Sequence, residues 1–162
     1  MAVRFHVSKG LIVWGVILAL VVSMFAVPFT KKAEASVSWG QEVTEVAKRY
    51  IGTPYKWGGT TPKGFDASGY TQFVYKKSAA KISLPRTSKD QYKIGKAVAK
   101  KNLKEGDLVF FNTDGKGVSF VGIYLGKNKF IAVTVSKGVS IQSMDSKYWK
   151  DRYVGAKRVL KQ

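Results

Sequence analysis

The second half of the chain constrains the fold most. From residue 107 onward, short runs rich in β-branched and aromatic residues follow one another: "DLVFFN", "GVSFVGIYL", "KFIAVTV" and "VSIQ". They are separated by "TDGKG", "GKN" and "SKG", which have the composition of hairpin turns. "YVGAKRVL" reads as a last strand. Strands joined this tightly pair antiparallel. The first half carries the other periodicity. Ser38 is placed to cap a helix in which Val43, Val46, Ala47 and Tyr50 form one apolar stripe, with Gly52 ending it. A loop, "GTPYKWGGTTPKG", follows. A second helix is expected to start near Asp66 and to bury Tyr70, Phe73 and Val74. "SKDQ", residues 88–91, fits a capping box for a short third helix that stops at Gly95. Helices first and an antiparallel sheet afterwards define an α+β domain, with N-terminal helices packed on five to six strands.

Residues 1–35 read as a targeting segment. Arg4 and Lys9 precede an almost unbroken apolar run from residue 10 to residue 29, and Ala33-Glu34-Ala35 supplies the small-x-small pattern of a cleavage site. The alternative is a retained anchor, since the run approaches the roughly 20 residues that a spanning helix needs. Either way the expectation is a single folded domain over residues 36–162, secreted and wall-associated or held at the outer face of the membrane.

The chain has 28 Lys and Arg against 10 Asp and Glu. Four of those bases and one acid lie in residues 1–35, leaving 24 against 9, a net +15 on the domain. Such a field attracts polyanions. Outside a bacterial membrane these are teichoic acids and anionic lipid headgroups, and plain solubility is the competing explanation. No helix-turn-helix, zinc or single-strand-binding motif supports a nucleic-acid partner. There is no cysteine, and the one histidine, His6, lies in the leader. A metal site would have to rely on scattered carboxylates, so neither metal nor cofactor is expected.

"GFDASGY", residues 64–70, is a platform with nothing on it. A turn, an acid and small residues at a helix start are how a chain presents a nucleophile, yet the presenting residue is Ala67. "YIGTPYKWGG", "GFDASGY", "LPRTSKDQ", "LKEGDLVFF" and "SFVGIYLGKNKFI" together resemble the blocks of the NlpC-type cell-wall cysteine peptidases, in order and spacing, over nearly the whole domain. The resemblance implies a papain-like α+β fold and an ancestry of cutting peptidoglycan stem peptides, often after D-glutamate. In such a site a cysteine at a helix N-terminus is favoured as thiolate by the helix dipole and an imidazole. One histidine acts as base and then acid, and a second polar group orients it. Mapped onto this chain, the nucleophile position is Ala67, the base position Phe120 and the orienting position Ala132. All three are substituted. Ser68 has a hydroxyl but no base at a matching position.

Other positions of the resemblance are kept. Tyr55, Asp66 and Ser68 correspond to residues that hold the free amino end of a stem peptide; helix capping and loop packing explain the same residue types. Trp57, Gly58 and Gly59 shape a loop beside the cleft. Arg86 either bonds loop carbonyls or meets an acidic ligand. Phe120 and Val133 are expected to make the old catalytic slot apolar and partly plugged, with Ala67, Phe120 and Ala132 close together. These features describe an exported, inactive domain that binds peptidoglycan or muropeptides, or regulates an active relative. Three rivals stand beside it: an active endopeptidase with a non-standard site, a cysteine endopeptidase inactivated in the laboratory, and an apolar-ligand or membrane-surface binding module.

Overall fold

The computed structural model describes residues 38–161; the leader expected over residues 1–35 lies outside them. Helix α1 is Trp39–Lys48. Ser38 caps it reciprocally. Its hydroxyl accepts from the Gln41 N–H at 3.2 Å, and the Gln41 carboxamide accepts from the Ser38 N–H at 3.0 Å. Val43, Val46 and Ala47 are buried, as the stripe requires. Tyr50 lies beyond the helix end, where its ring meets Phe73 edge-on at 4.9 Å.

Strands β1 (Thr60–Thr61) and β2 (Gly64–Phe65) form a miniature hairpin inside the glycine-rich loop. Helix α2, Ala67–Lys77, starts at the Asp66 cap and buries Tyr70, Val74 and Tyr75. The Tyr70 hydroxyl donates to the Ala47 carbonyl at 2.8 Å, tying α2 to α1. Helix α3 is Ser88–Gln91. Its cap is Thr87, one residue earlier than the sequence pattern suggested, because the Thr87 hydroxyl accepts from the Asp90 N–H at 3.1 Å. Gln91 is thereby released from any capping role and turns inward.

Strands β3 (Lys96–Val98), β4 (Leu108–Phe111), β5 (Phe120–Gly126), β6 (Lys129–Thr134), β7 (Gly138–Ser143) and β8 (Tyr153–Arg158) form one sheet in the order β3-β8-β4-β5-β6-β7. Every pairing is antiparallel. The final strand sits inside the sheet, between the short edge strand β3 and β4. The Arg158 guanidinium locks it there, donating at 2.7 Å to each carboxylate oxygen of the fully buried Asp107. The β5–β6 turn has Lys127 and Asn128 both at positive φ, the backbone a two-residue hairpin turn needs to match strand twist.

Both sheet faces are covered. Leu108, Phe110, Val121, Ile123, Ile131 and Val133 pack with the helices. Val109, Phe111, Phe130 and Ala132 form a second cluster with Met144 and Trp149, the latter on the one-turn helix α4, Lys147–Lys150. All four residues of β4 are buried, which is why its sequence is a continuous apolar run rather than an alternating one.

Candidate functional site

Glycine lets the loop close on the second helix. A Cβ at Gly69 would lie 2.1 Å from the Gly59 carbonyl oxygen, so no larger residue fits at this point of α2. The Asp66 N–H donates to that same carbonyl at 3.1 Å. The loop therefore lies directly against the start of α2. Between them and the end of the sheet opens a cleft of about 620 Å³.

Asp66 organises one wall. Its Oδ1 accepts from the Gly69 N–H at 2.7 Å, from the Ser68 hydroxyl at 3.3 Å and from Arg86 Nη1 at 3.0 Å. Its Oδ2 accepts from the Gly58 N–H at 3.1 Å and from Arg86 Nη2. Five donors on a group with about four lone-pair sites leave it no capacity for another cation. Burial pushes the Asp66 carboxyl up, but Arg86, the Gly69 N–H and Ser68 together outweigh it and hold it below its ordinary value. The Asp66 hydrogen bond in turn raises the Arg86 guanidinium. Arg86 thus contacts Asp66 and, at 3.0 Å, the Ser68 hydroxyl, and not the loop carbonyls that the sequence allowed. Its Nε–H and one Nη2–H have no protein partner among the described residues.

Gln91 is the residue that sequence reasoning passed over. It is fully buried. Its amide donates to the Ser68 carbonyl at 3.1 Å and the Pro85 carbonyl at 2.8 Å, and accepts from the Thr71 hydroxyl at 2.8 Å. It pins the Arg86 segment to the start of α2. The only signal was its place in "SKDQ", which points to capping instead.

Tyr55, Trp57, Asp66, Ala67, Ser68, Arg86 and Phe120 all line the cleft. Ala67 is the first residue of α2 and Phe120 the first of β5. Ala132 packs in the same cluster as Phe120 but does not line the cleft. It is fully buried in the far-face cluster, and its neighbour Val133 lines the cleft instead. Strand alternation is the reason. Val121, Ile123, Ile131 and Val133 point toward the helices, so Phe120 and Ala132 belong to the opposite face. Phe120 escapes this partition only because it starts its strand. Its half-buried ring packs on Trp149 at 4.9 Å and Phe111 at 6.3 Å while still forming part of the cleft.

The rim carries two strongly exposed apolar side chains, Trp57 at 86% and Val135 at 77%. Tyr55 is half-buried against the helix-side core, and its backbone bridges to Phe65. Among the described residues no three Asp, Glu, His or Cys side chains converge as a metal site would need. The surface therefore offers guanidinium and hydroxyl donors on one side, an apolar floor of Ala67, Phe120 and Val133, and no thiol or imidazole.

The family model for NlpC/P60 matches residues 52–158. Murein DD-endopeptidase MepH of Escherichia coli (strain K12) is 41% identical over 137 residues, 79% of this chain and 50% of MepH. A solved NlpC/P60 family protein from Bacillus cereus superposes with a TM-score of 0.71 at 37% identity, covering 75% of this chain and 40% of that one. RipD from Mycobacterium tuberculosis, described as a non-catalytic NlpC/p60 domain protein adapted to peptidoglycan binding, superposes with a TM-score of 0.64 at 27% identity, covering 76% of this chain and 98% of that one. The chain spans 28%, 50% and 57% of the lengths of three curated relatives that it matches.

Proposed function

Since the chain belongs to the NlpC/P60 family, which acts on peptidoglycan, and has no cysteine to serve as nucleophile, we propose that it is a non-catalytic domain that binds peptidoglycan stem peptides outside the cytoplasmic membrane. The observation that carries this reading is the contrast within one cleft. The polar wall of Asp66, Ser68 and Arg86 is fully assembled, while Ala67 and Phe120, which the family resemblance puts at the nucleophile and base positions, bring neither a thiol nor a base to the cleft.

An unorthodox nucleophile finds little support. The Ser68 hydroxyl is bonded to Asp66, which Arg86 already neutralises, and to Arg86 itself, which cannot serve as a base. Binding has better support. The unpaired N–H groups of Arg86 and the half-buried Tyr55 suit the carboxylates and amide carbonyls of a stem peptide. Asp66 and Ser68 hold the guanidinium in place rather than taking the ligand's amine. The domain's charge of +15 adds attraction to teichoic acid or an anionic membrane surface.

The test is incubation of the protein with purified wall sacculi, followed by separate assays of pelleting and of newly released peptide ends. The expected result is co-pelleting without release. Release at the rate of an active endopeptidase sinks the reading, and so does failure to pellet at low salt.

A further inference from the structure

The two ends of the sheet differ in chemistry. Strand β5 starts at Phe120 in the cleft and finishes at Gly126 in a separate groove of about 910 Å³. A strand of seven residues puts about 20 Å between the two openings. Strand β6 runs back the other way, from Lys129 to Val133 in the cleft. The groove and the cleft therefore lie at opposite ends of the central strands.

The chain enters the domain at the groove end. Ser38 and Trp39, at the start of α1, line the groove. A Cβ at Gly40 would lie 2.0 Å from the Glu105 carbonyl oxygen, so the start of α1 packs directly on the turn before β4. Trp39 is half-exposed there. Around it stand Lys104, Lys127 and Lys161, all exposed, with the half-buried Leu103 and Leu160. The acids of the groove are Glu105, which is exposed, and Asp107, which Arg158 already neutralises. Three free bases against one free acid, beside an exposed indole, suit a layer of anionic lipid headgroups. The cleft end lacks that surplus. Trp57 and Val135 are exposed on its rim, but Arg86 is paired with Asp66, and the remaining charges that line it, Lys89 and Asp114, cancel.

We propose that the Trp39 end of the domain seats on the anionic outer surface of a membrane in which residues 10–29 remain as the anchor, and that the cleft is thereby turned away from the lipid. The connection favours lipid over a soluble polyanion. Eight residues, 30–37, join the apolar run to Ser38. Whatever course they take, they keep the Trp39 end within about 30 Å of the bilayer surface. The tether limits the height of that end, and Trp39 with the lysines sets which way it faces. Lys31 and Lys32, within the tether, add to the same charge. The orientation is independent of what the cleft binds.

The experiment uses the full-length protein, reconstituted in vesicles of phosphatidylcholine mixed with phosphatidylglycerol and in vesicles of phosphatidylcholine alone. The chain has no cysteine, so Glu105→Cys at the groove and, separately, Lys89→Cys at the cleft rim each accept one fluorophore without background. A quencher carried on the lipid headgroups reads which end is down. In the mixed vesicles the label at position 105 is expected to be quenched several-fold more than the label at position 89. The difference should disappear in phosphatidylcholine alone. It should also disappear in Lys104→Glu combined with Lys127→Glu, with the protein still on the vesicles. The lipid comparison uses one labelled protein throughout, so it stands whether or not the charge-reversed variant folds well. Equal quenching at the two positions in mixed vesicles, or stronger quenching at 89, overturns the seat. A difference that persists without phosphatidylglycerol overturns the role of charge. No difference in mixed vesicles, with pelleting on teichoic-acid-bearing sacculi lost in the charge-reversed variant, reassigns this end to a wall polyanion. Protein recovered from the exporting cell with its N-terminus at Ser36 overturns the anchor. None of these outcomes alters the stem-peptide reading.

Discussion

Arg86 grips Asp66 with both ends of its guanidinium, and the same carboxylate caps α2 through the Gly69 N–H at 2.7 Å. The loop, the helix start and the α3 segment thus meet at one ion pair. Because the folded-state pKa of Asp66 is lowered, its contribution is present above its unfolded value, about 4, and is lost as pH falls through the lower folded value. Thermal melts between pH 2 and pH 6 should show Tm falling below about pH 4. Arg86→Ala should lower stability by about 1 kcal/mol at pH 7, since Arg86 is partly exposed and screened. It should also flatten that acid-dependent fall. An unchanged pH profile in the variant would show that the pair does not hold the loop.

Phe120→His should destabilise the domain by roughly 1–2 kcal/mol. The ring packs on Trp149 and Phe111 in an apolar cluster, where an imidazole would lose contact area and bring a polar ring among apolar neighbours. Urea denaturation checks this. A variant as stable as the parent would mean that the Phe120 end of the cleft is wet.

Ala67→Cys should bring no endopeptidase activity. The α2 N-terminus lowers a thiol's pKa, but no imidazole is available to pass a proton to the leaving amine. The expected result is a thiol that reacts with alkylating agents while peptide-end release stays at background. Adding both Phe120→His and Ala132→His should not rescue it. Ala132 has no exposed surface, and a ring forced into that cluster should lower stability by about 1–3 kcal/mol. Restored cleavage in the triple variant would show that the far-face cluster can open.

Wall association should weaken with salt. Attraction between exposed charges is screened over about 8 Å at physiological ionic strength, so the +15 field is a short-range handle. Pelleting with sacculi should fall between low and high salt, and stripping teichoic acid should reduce it at low salt. Pelleting indifferent to both treatments would assign binding to the cleft alone.

Local pattern carried much of this molecule. The Ser38 cap, the α2 start at Asp66, the β4–β7 runs and their turns are set by chemistry within a few residues of one another, so they were legible without a fold. That the chain has no cysteine, and no histidine beyond His6, was legible too, because a missing side chain is missing in any conformation. Tertiary structure decided the rest. Nothing near "YVGAKRVL" says that it will insert between β3 and β4, since that depends on Arg158 finding Asp107 fifty-one positions away. Nothing in "FIAV" says which residue faces the cleft; strand register turned Val133 toward it and Ala132 away. Likewise Arg86 had no visible partner until the chain brought it to Asp66. Side-chain type is a property of the residue, but what a side chain meets is fixed by long-range pairing, where a shift of one position along a strand exchanges its faces.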